Sequence, residues 1–187
     1  MIHLDSVVDA TIINSDNYSI VFRIDDNIED YLIVEKIDTT LKISLQGDKT
    51  YSKITNEVNL TLPDIEVLIV EGVSKANLSG FSFSHDVEFD IKGIIMLNAN
   101  IDTGHIDLQV DGTSSILLSG NGTTADILVN GTTTADLSDF ETTNTSVNID
   151  GTSTVILRVN GTLSGSVKGV SKLYYSVNTI LENINSD

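Results

Sequence analysis

A glycine recurs at nearly constant intervals through the last two thirds of this chain, with the same neighbours each time. Gly72, Gly93, Gly112, Gly131, Gly151 and Gly169 are separated by 21, 19, 19, 20 and 18 residues. Two positions before them stand Val70, Ile91, Val110, Val129, Ile149 and Val167. Four positions before stand Leu68, Phe89, Leu108, Ile127 and Val147, with Gly165 breaking the row. The residues between valine and glycine are polar throughout: Glu71, Lys92, Asp111, Asn130, Asp150 and Lys168. Apolar and polar side chains that alternate with period two mark a strand with one buried face. Beyond each glycine the alternation resumes, as in Ala76 and Leu78, Leu97 and Ala99, Ile116 and Leu118, or Val155 and Leu157. A short third stretch, such as Ser84–Val87 or Thr142–Thr145, completes the unit, and no segment within it carries a helical period.

A unit this short, built of strands and polar turns, cannot bury its own apolar face and must stack on its neighbours. Stacked at the strand spacing of about 4.8 Å, equivalent residues fall above one another and form a continuous interior. The predicted fold is therefore all-β, a single-stranded right-handed parallel β-helix with about twenty residues per coil. Leucine-rich repeats share the period but need a Leu-x-x-Leu-x-Leu frame that is absent here. The recurring glycines and the Asn-Gly and Asp-Gly pairs, such as Asp111-Gly112 and Asn130-Gly131, mark sharp bends. Hairpins use the same pairs, but inward residues at one fixed offset from each glycine suit a coil better than a meander.

The sequence reads as one domain over residues 1–187. Residues 1–66 form irregular first coils and a cap, with predicted strands at Tyr18–Ile24, Tyr31–Ile37, Leu41–Leu45 and Val58–Leu62. Residues 67–175 are the regular repeats, where Tyr174-Tyr175 are placed to plug the last coil. Residues 176–187 make a C-terminal cap or tail, with a short helix expected over Asn178–Asp187.

Composition narrows the function classes. Ten Lys and Arg against 27 Asp and Glu leave a net charge of −17. Without a basic cluster the chain is not expected to bind nucleic acid, whose affinity rests on phosphate neutralisation, nor anionic lipid. The absence of cysteine excludes disulfides, thiolate metal sites and a cysteine nucleophile. No apolar run reaches the roughly 18 residues of a membrane span, and Met1–Ile12 has no secretion-signal pattern.

Several short motifs, in order and spacing, resemble one family. They are Thr40-Leu41-Lys42-Ile43, then Val58-Asn59-Leu60-Thr61-Leu62-Pro63, then the stacked units Val70-Glu71-Gly72-Val73-Ser74, Val110-Asp111-Gly112-Thr113-Ser114, Ile149-Asp150-Gly151-Thr152-Ser153 and Val167-Lys168-Gly169-Val170-Ser171. Together with the closing Tyr174-Tyr175 they make residues 15–177 similar to the head GIN domain of bacterial autotransporter adhesins. The resemblance implies a surface β-helix and no catalytic residues. Two features depart from it: the missing secretion signal, and Ser176-Val177-Asn178 where the family closes with glycine and proline.

Three constellations are candidates for function. Thr113 and Ser115, Thr132 and Thr134, and Thr152 and Thr154 lie one and three residues after successive glycines. Out of phase with the buried residues, they are expected as two hydroxyl columns on a flat outer wall, suited to ice or a polysaccharide. Threonine is equally an ordinary solvent-facing strand residue. Glu88, Asp107 and Asp126 share one offset before the glycine in successive coils, a column of carboxylates that calcium could bridge. Catalysis by a polysaccharide-cleaving β-helix would need paired carboxylates in a cleft. Basic residues are sparse there, Arg158 has no evident partner, and His3, His85 and His105 sit in unrelated contexts that suggest no triad or metal cluster.

The expected function is a non-catalytic cell-surface or secreted adhesion module. It would present a rigid, acidic ladder rich in Ser, Thr and Asn to a glycan or a protein, with no cofactor beyond Ca²⁺. It would not insert into a membrane, and it could form homo-oligomers. A phage or cell-envelope appendage is the alternative, and a glycan-processing enzyme ranks third.

Overall fold

The computed structural model describes residues 1–186, and Asp187 lies outside them. The chain is a parallel β-solenoid of about six turns with roughly 20 residues per turn. Its regular part runs through β7 (Val67–Ser82), β8 (Val87–Gly112), β9 (Ser115–Gly131), β10 (Thr134–Gly151) and β11 (Thr154–Val167). Each pairs with the next in parallel, so that Leu68 sits on Phe89, Leu108 on Ile127, and Val110 on Val129. These residues are at most 3 % exposed. Burying each such side chain contributes about 1.5–3 kcal/mol, and the stack repeats that gain at every rung. β7 and β8 pass through Gly72 and Gly93 without a break, whereas β8, β9 and β10 end at Gly112, Gly131 and Gly151.

The corners are held by two stacked columns. Gly72, Gly93, Gly112, Gly131, Gly151 and Gly169 all take positive φ, between 73° and 130°. Two residues later, Ser74, Ser114, Thr133 and Ser153 turn inward and are buried. Ser153 Oγ donates to the Gly131 carbonyl at 3.0 Å and accepts from the Thr133 N–H at 3.1 Å. Ser171 repeats this one rung on, donating to Gly151 at 3.1 Å and accepting from the Ser153 N–H at 3.2 Å. The serine hydroxyls thus partner backbone groups at the bend, where a buried unpaired donor or acceptor would be costly, whereas the Thr133 hydroxyl has no partner.

The N-terminal third departs from a simple succession of coils. β1 (Ile2–Leu4) and β2 (Asp9–Asn14) are strands that sequence periodicity did not single out. They form a rung wedged against β7 on one side and, on the other, against β5 (Thr40–Leu45) and β6 (Asn56–Leu62). Residues 40–62 therefore make the outermost rung although they follow residues 2–14 in the chain. Ser6, with φ of 80°, takes the corner position that glycine holds elsewhere, and the Val73 N–H donates to its carbonyl at 2.7 Å. β3 (Ser19–Ile24) and β4 (Leu32–Ile37) fold back antiparallel on β6 and β5. These two flaps occupy the edges of the first rung, which would otherwise offer unpaired backbone to other chains.

The C-terminal end corrects one expectation. The segment expected as a helix over Asn178–Asp187 contains instead β13 (Ile180–Ser186), parallel to β11, with Asp187 outside the described residues. A helix this short is marginal without packing, whereas the edge of β11 offers a ready template. β12 (Lys172–Tyr175) pairs with the first part of β11. Tyr175 continues the inward column beneath Leu157, while Tyr174 lies under Ile156 in the outward phase, and both rings remain about half exposed. The plug is thus partial and comes from Tyr175 alone.

Candidate functional site

The wall that follows the glycine corner is in register from rung to rung. Ser115 pairs with Thr134, Thr134 with Thr154, and Thr154 with Lys172. Thr113, Thr132 and Thr152 continue the ladder at the bend, their N–H groups each donating at 2.8 Å to a glycine carbonyl of the preceding rung. All six candidate residues face outward; five are exposed and Thr154 is half-buried. Their phase is opposite to that of buried Ile116, Ala135 and Val155. The structure therefore brings together the two hydroxyl columns read from the sequence.

The same wall is distinctive in charge. One, three and five residues after the six glycines, the only acid is Asp136, and the only bases are Lys75 and Lys172. The columns continue beyond the threonines into exposed Val73, Ile94 and Met96 on one side and Val170 on the other. By contrast, the wall before the corner carries Glu71, Glu88, Asp90, Asp107, Asp111, Asp126 and Asp150 in its outward positions. The charge of a strongly acidic chain is concentrated away from the hydroxyl wall. The Asp136 carboxyl is held below its ordinary range because the Ser138 hydroxyl and N–H both favour its ionised form, the latter at 3.0 Å.

Glu88, Asp107 and Asp126 occupy their expected column on the acidic wall, with Asp107 paired to Asp126. They are not drawn into a compact ligand set: Asp126 lies 3.8 Å from His105 Nε2, and His105 Nδ1 is 2.7 Å from the Thr124 hydroxyl. His85 and His105 share one shallow pocket with Glu88 and Asp107, an association their sequence contexts did not suggest. Arg158, expected without a partner, forms an ion pair of 2.6 Å with Glu141 on the preceding rung. Among the described residues, three ligand atoms come within 4.8 Å of one another only at His3, Asp5 and Glu71.

Sequence reasoning also missed a groove of about 720 Å³ between the two N-terminal flaps. Its lining includes buried Ile2, Leu60 and Leu62 together with exposed Tyr18 and Ile20 and the cation of Lys36. β4 returns on β5 as a hairpin, while β3 pairs antiparallel with the sequence-distant β6, so with no repeat to signal them only the folded chain places these residues side by side. Among the described residues no helix is long and apolar enough to cross a membrane.

Solved structures share this architecture at low sequence identity. A putative adhesin from Bacteroides fragilis superposes with a TM-score of 0.91 at 16 % identity, covering 100 % of this chain and 87 % of its own. A putative adhesin from Parabacteroides distasonis gives 0.58 at 18 % identity, covering 99 % and 90 %. A putative lipid binding protein from the same organism gives 0.58 at 17 %, covering 99 % and 92 %. No curated protein matches the chain in sequence. Residues 1–179 match the family described as "Putative auto-transporter adhesin, head GIN domain", and the chain belongs to that family.

Proposed function

We propose that the chain is the non-catalytic head of a cell-surface adhesin and that its hydroxyl wall is the adhesive face. The observation that carries this is the pair of exposed, in-register columns at Thr113, Thr132, Thr152 and Ser115, Thr134, Thr154 on a wall nearly free of acid. Hydroxyls repeated at about 4.8 Å on a stiff sheet suit a polymer whose own groups repeat. Each contact is weak, and binding grows because further contacts are made at high effective concentration. A glycan is the favoured ligand, since a neutral polyol needs both donors and acceptors and each hydroxyl offers both. Membership of an adhesin family supports the surface setting.

The test is a glycan array probed with the intact chain and with the Thr132→Glu/Thr134→Glu double variant. Retention on one glycan class, lost in the double variant and kept by Asp107→Asn, is expected. Retention that survives the double variant would place the adhesive face elsewhere.

The apolar groove favours a second role, that of holding an acyl chain, and a structural neighbour is described as a putative lipid binding protein. Saturable uptake of a fluorescent fatty acid, abolished by Ile20→Asp at the groove's rim, is the expected result for that role. Uptake that fails to saturate would contradict it.

A further inference from the structure

We propose that His3, Asp5 and Glu71 form a binding site for a first-row divalent metal ion of the zinc class, spanning the N-terminal rung and the first regular rung. β1 lies between β5 and β7, with Leu4 paired to Ile43 on one side and to Val70 on the other. His3 and Asp5, two residues apart, project from the same outer face, and this register brings Asp5 beside Glu71. His3 Nε2 and a Glu71 carboxylate oxygen are 2.8 Å apart. One donor atom from each of the three residues lies within 4.8 Å of the other two. The side chains are partly shielded, at 19 % exposure for His3, 34 % for Glu71 and 35 % for Asp5. The trio therefore sits on backbone fixed by ladders on both sides.

The donor set selects the metal. One imidazole nitrogen with two carboxylate oxygens suits zinc and its neighbours, whereas calcium prefers six or more oxygens. Zinc holds such ligands at about 2.0–2.2 Å, so the three atoms need only side-chain rotation to close around it. The competing charges are few. Lys42 Nζ lies 3.4 Å from Asp5 Oδ2 with its side chain one third exposed, and the metal would displace it from that carboxylate. Lys92, stacked beside Glu71, is drawn to Asp90 at 2.5 Å.

Metal binding balances without loss of a proton from neutral His3. Where the ring carries its proton on Nε2, that proton shifts to Nδ1, the Nε2 lone pair goes to the metal, and two carboxylates offset the dication. Three protein ligands leave at least one coordination position for water or for an acidic group of a partner. The ion would also tie β1 to β7, so occupancy stabilises the inserted rung by mass action.

The experiment is calorimetric titration of the metal-stripped full chain with ZnCl₂, with CaCl₂ titrated in parallel and Co²⁺ absorption as a spectroscopic check. Saturable binding of one Zn²⁺ per chain is expected, with a raised melting temperature and a Co²⁺ visible spectrum. His3→Gln and Glu71→Gln should each weaken binding by about tenfold or more, while Asp126→Asn leaves it unchanged. If His3→Gln fails to fold without metal, Asp5→Asn and Glu71→Gln decide the matter. No saturable Zn²⁺ binding, equal affinity for Ca²⁺, or unchanged binding in Glu71→Gln and Asp5→Asn would overturn the proposal. So would equal loss in Asp126→Asn. Glycan retention by the hydroxyl wall is measured separately, so neither result decides the other.

Discussion

Gly112 stacks directly on Gly93 at the corner of the solenoid, with φ of +130°. A Cβ on Gly112 would run into the Gly93 carbonyl oxygen, well inside the 3.0 Å that real Cβ atoms keep. The obstacle is backbone, which cannot move aside without disturbing the ladder on both rungs. Gly112→Ala is therefore expected to destabilise the fold by about 3–5 kcal/mol, combining strain at positive φ with a clash that cannot relax. Urea unfolding followed by circular dichroism measures this, and a midpoint within error of the unaltered chain would contradict it.

The buried hydroxyl column should respond according to how many bonds each member makes. Ser153 both donates and accepts, so Ser153→Ala should cost about 1–3 kcal/mol. Thr133 Oγ1 is buried with no hydrogen-bond partner. Thr133→Val keeps the shape and removes the unpaired group, and is expected to be neutral or slightly stabilising. Equal losses in the two variants, read from the same unfolding curves, would refute this difference.

Phe140 fills space that the rung beneath leaves open. It stacks over Gly120, its ring abuts Gly122, and it is 1 % exposed. A register shift between Asp136 and Asp139 carries the chain into this position. With no side chain on either glycine to collapse inward, Phe140→Ala should leave a cavity and cost about 3–5 kcal/mol. A loss below about 1.5 kcal/mol, the range of volume-conserving core exchanges, would mean that the rungs close over the gap.

The repeats were legible because one requirement was stated many times. Leu68, Phe89, Leu108 and Ile127 each occupy one offset from a glycine, and a parallel stack is the arrangement that lets that offset recur. The hydroxyl wall followed from the same phase. The N-terminal third gave no such redundancy: Ser6 replaces the glycine at its corner, and the rung it serves is wedged between later parts of the chain. His3 and Glu71, 68 residues apart, meet only because of that insertion. At the other end, Ile180, Leu181 and Ile184 suited a helix locally, and the free edge of β11 decided for a strand. Arg158 found Glu141 through the register shift in β10, which no sequence period announces.

His85 provides a check by pH. The Asp86 carbonyl accepts from its Nδ1 at 2.9 Å, and the Asp64 carboxylate lies 2.8 Å from Nε2. These partners favour the imidazolium, against a smaller opposing effect of partial burial, and raise its pKa above the ordinary 6.5. A raised folded-state value means that its contribution to stability is complete below pH 6.5 and fades as pH climbs through the folded value. The pair is exposed to solvent, so the contribution is small. Proton NMR titration should give a His85 midpoint above 6.5 that falls in Asp64→Asn. A midpoint at or below 6.5 in the unaltered chain would contradict the geometry.

Adhesion through the hydroxyl wall is tested most directly by affinity against ligand length. With oligosaccharides of increasing size from the glycan class retained on the array, affinity for the intact chain should climb steeply until the ligand spans the threonine rungs, then level off. In the Thr132→Glu/Thr134→Glu variant the climb should disappear while the melting temperature stays close to that of the unaltered chain. A length-independent affinity, or the same climb in the variant, would show that the wall is not where this protein binds.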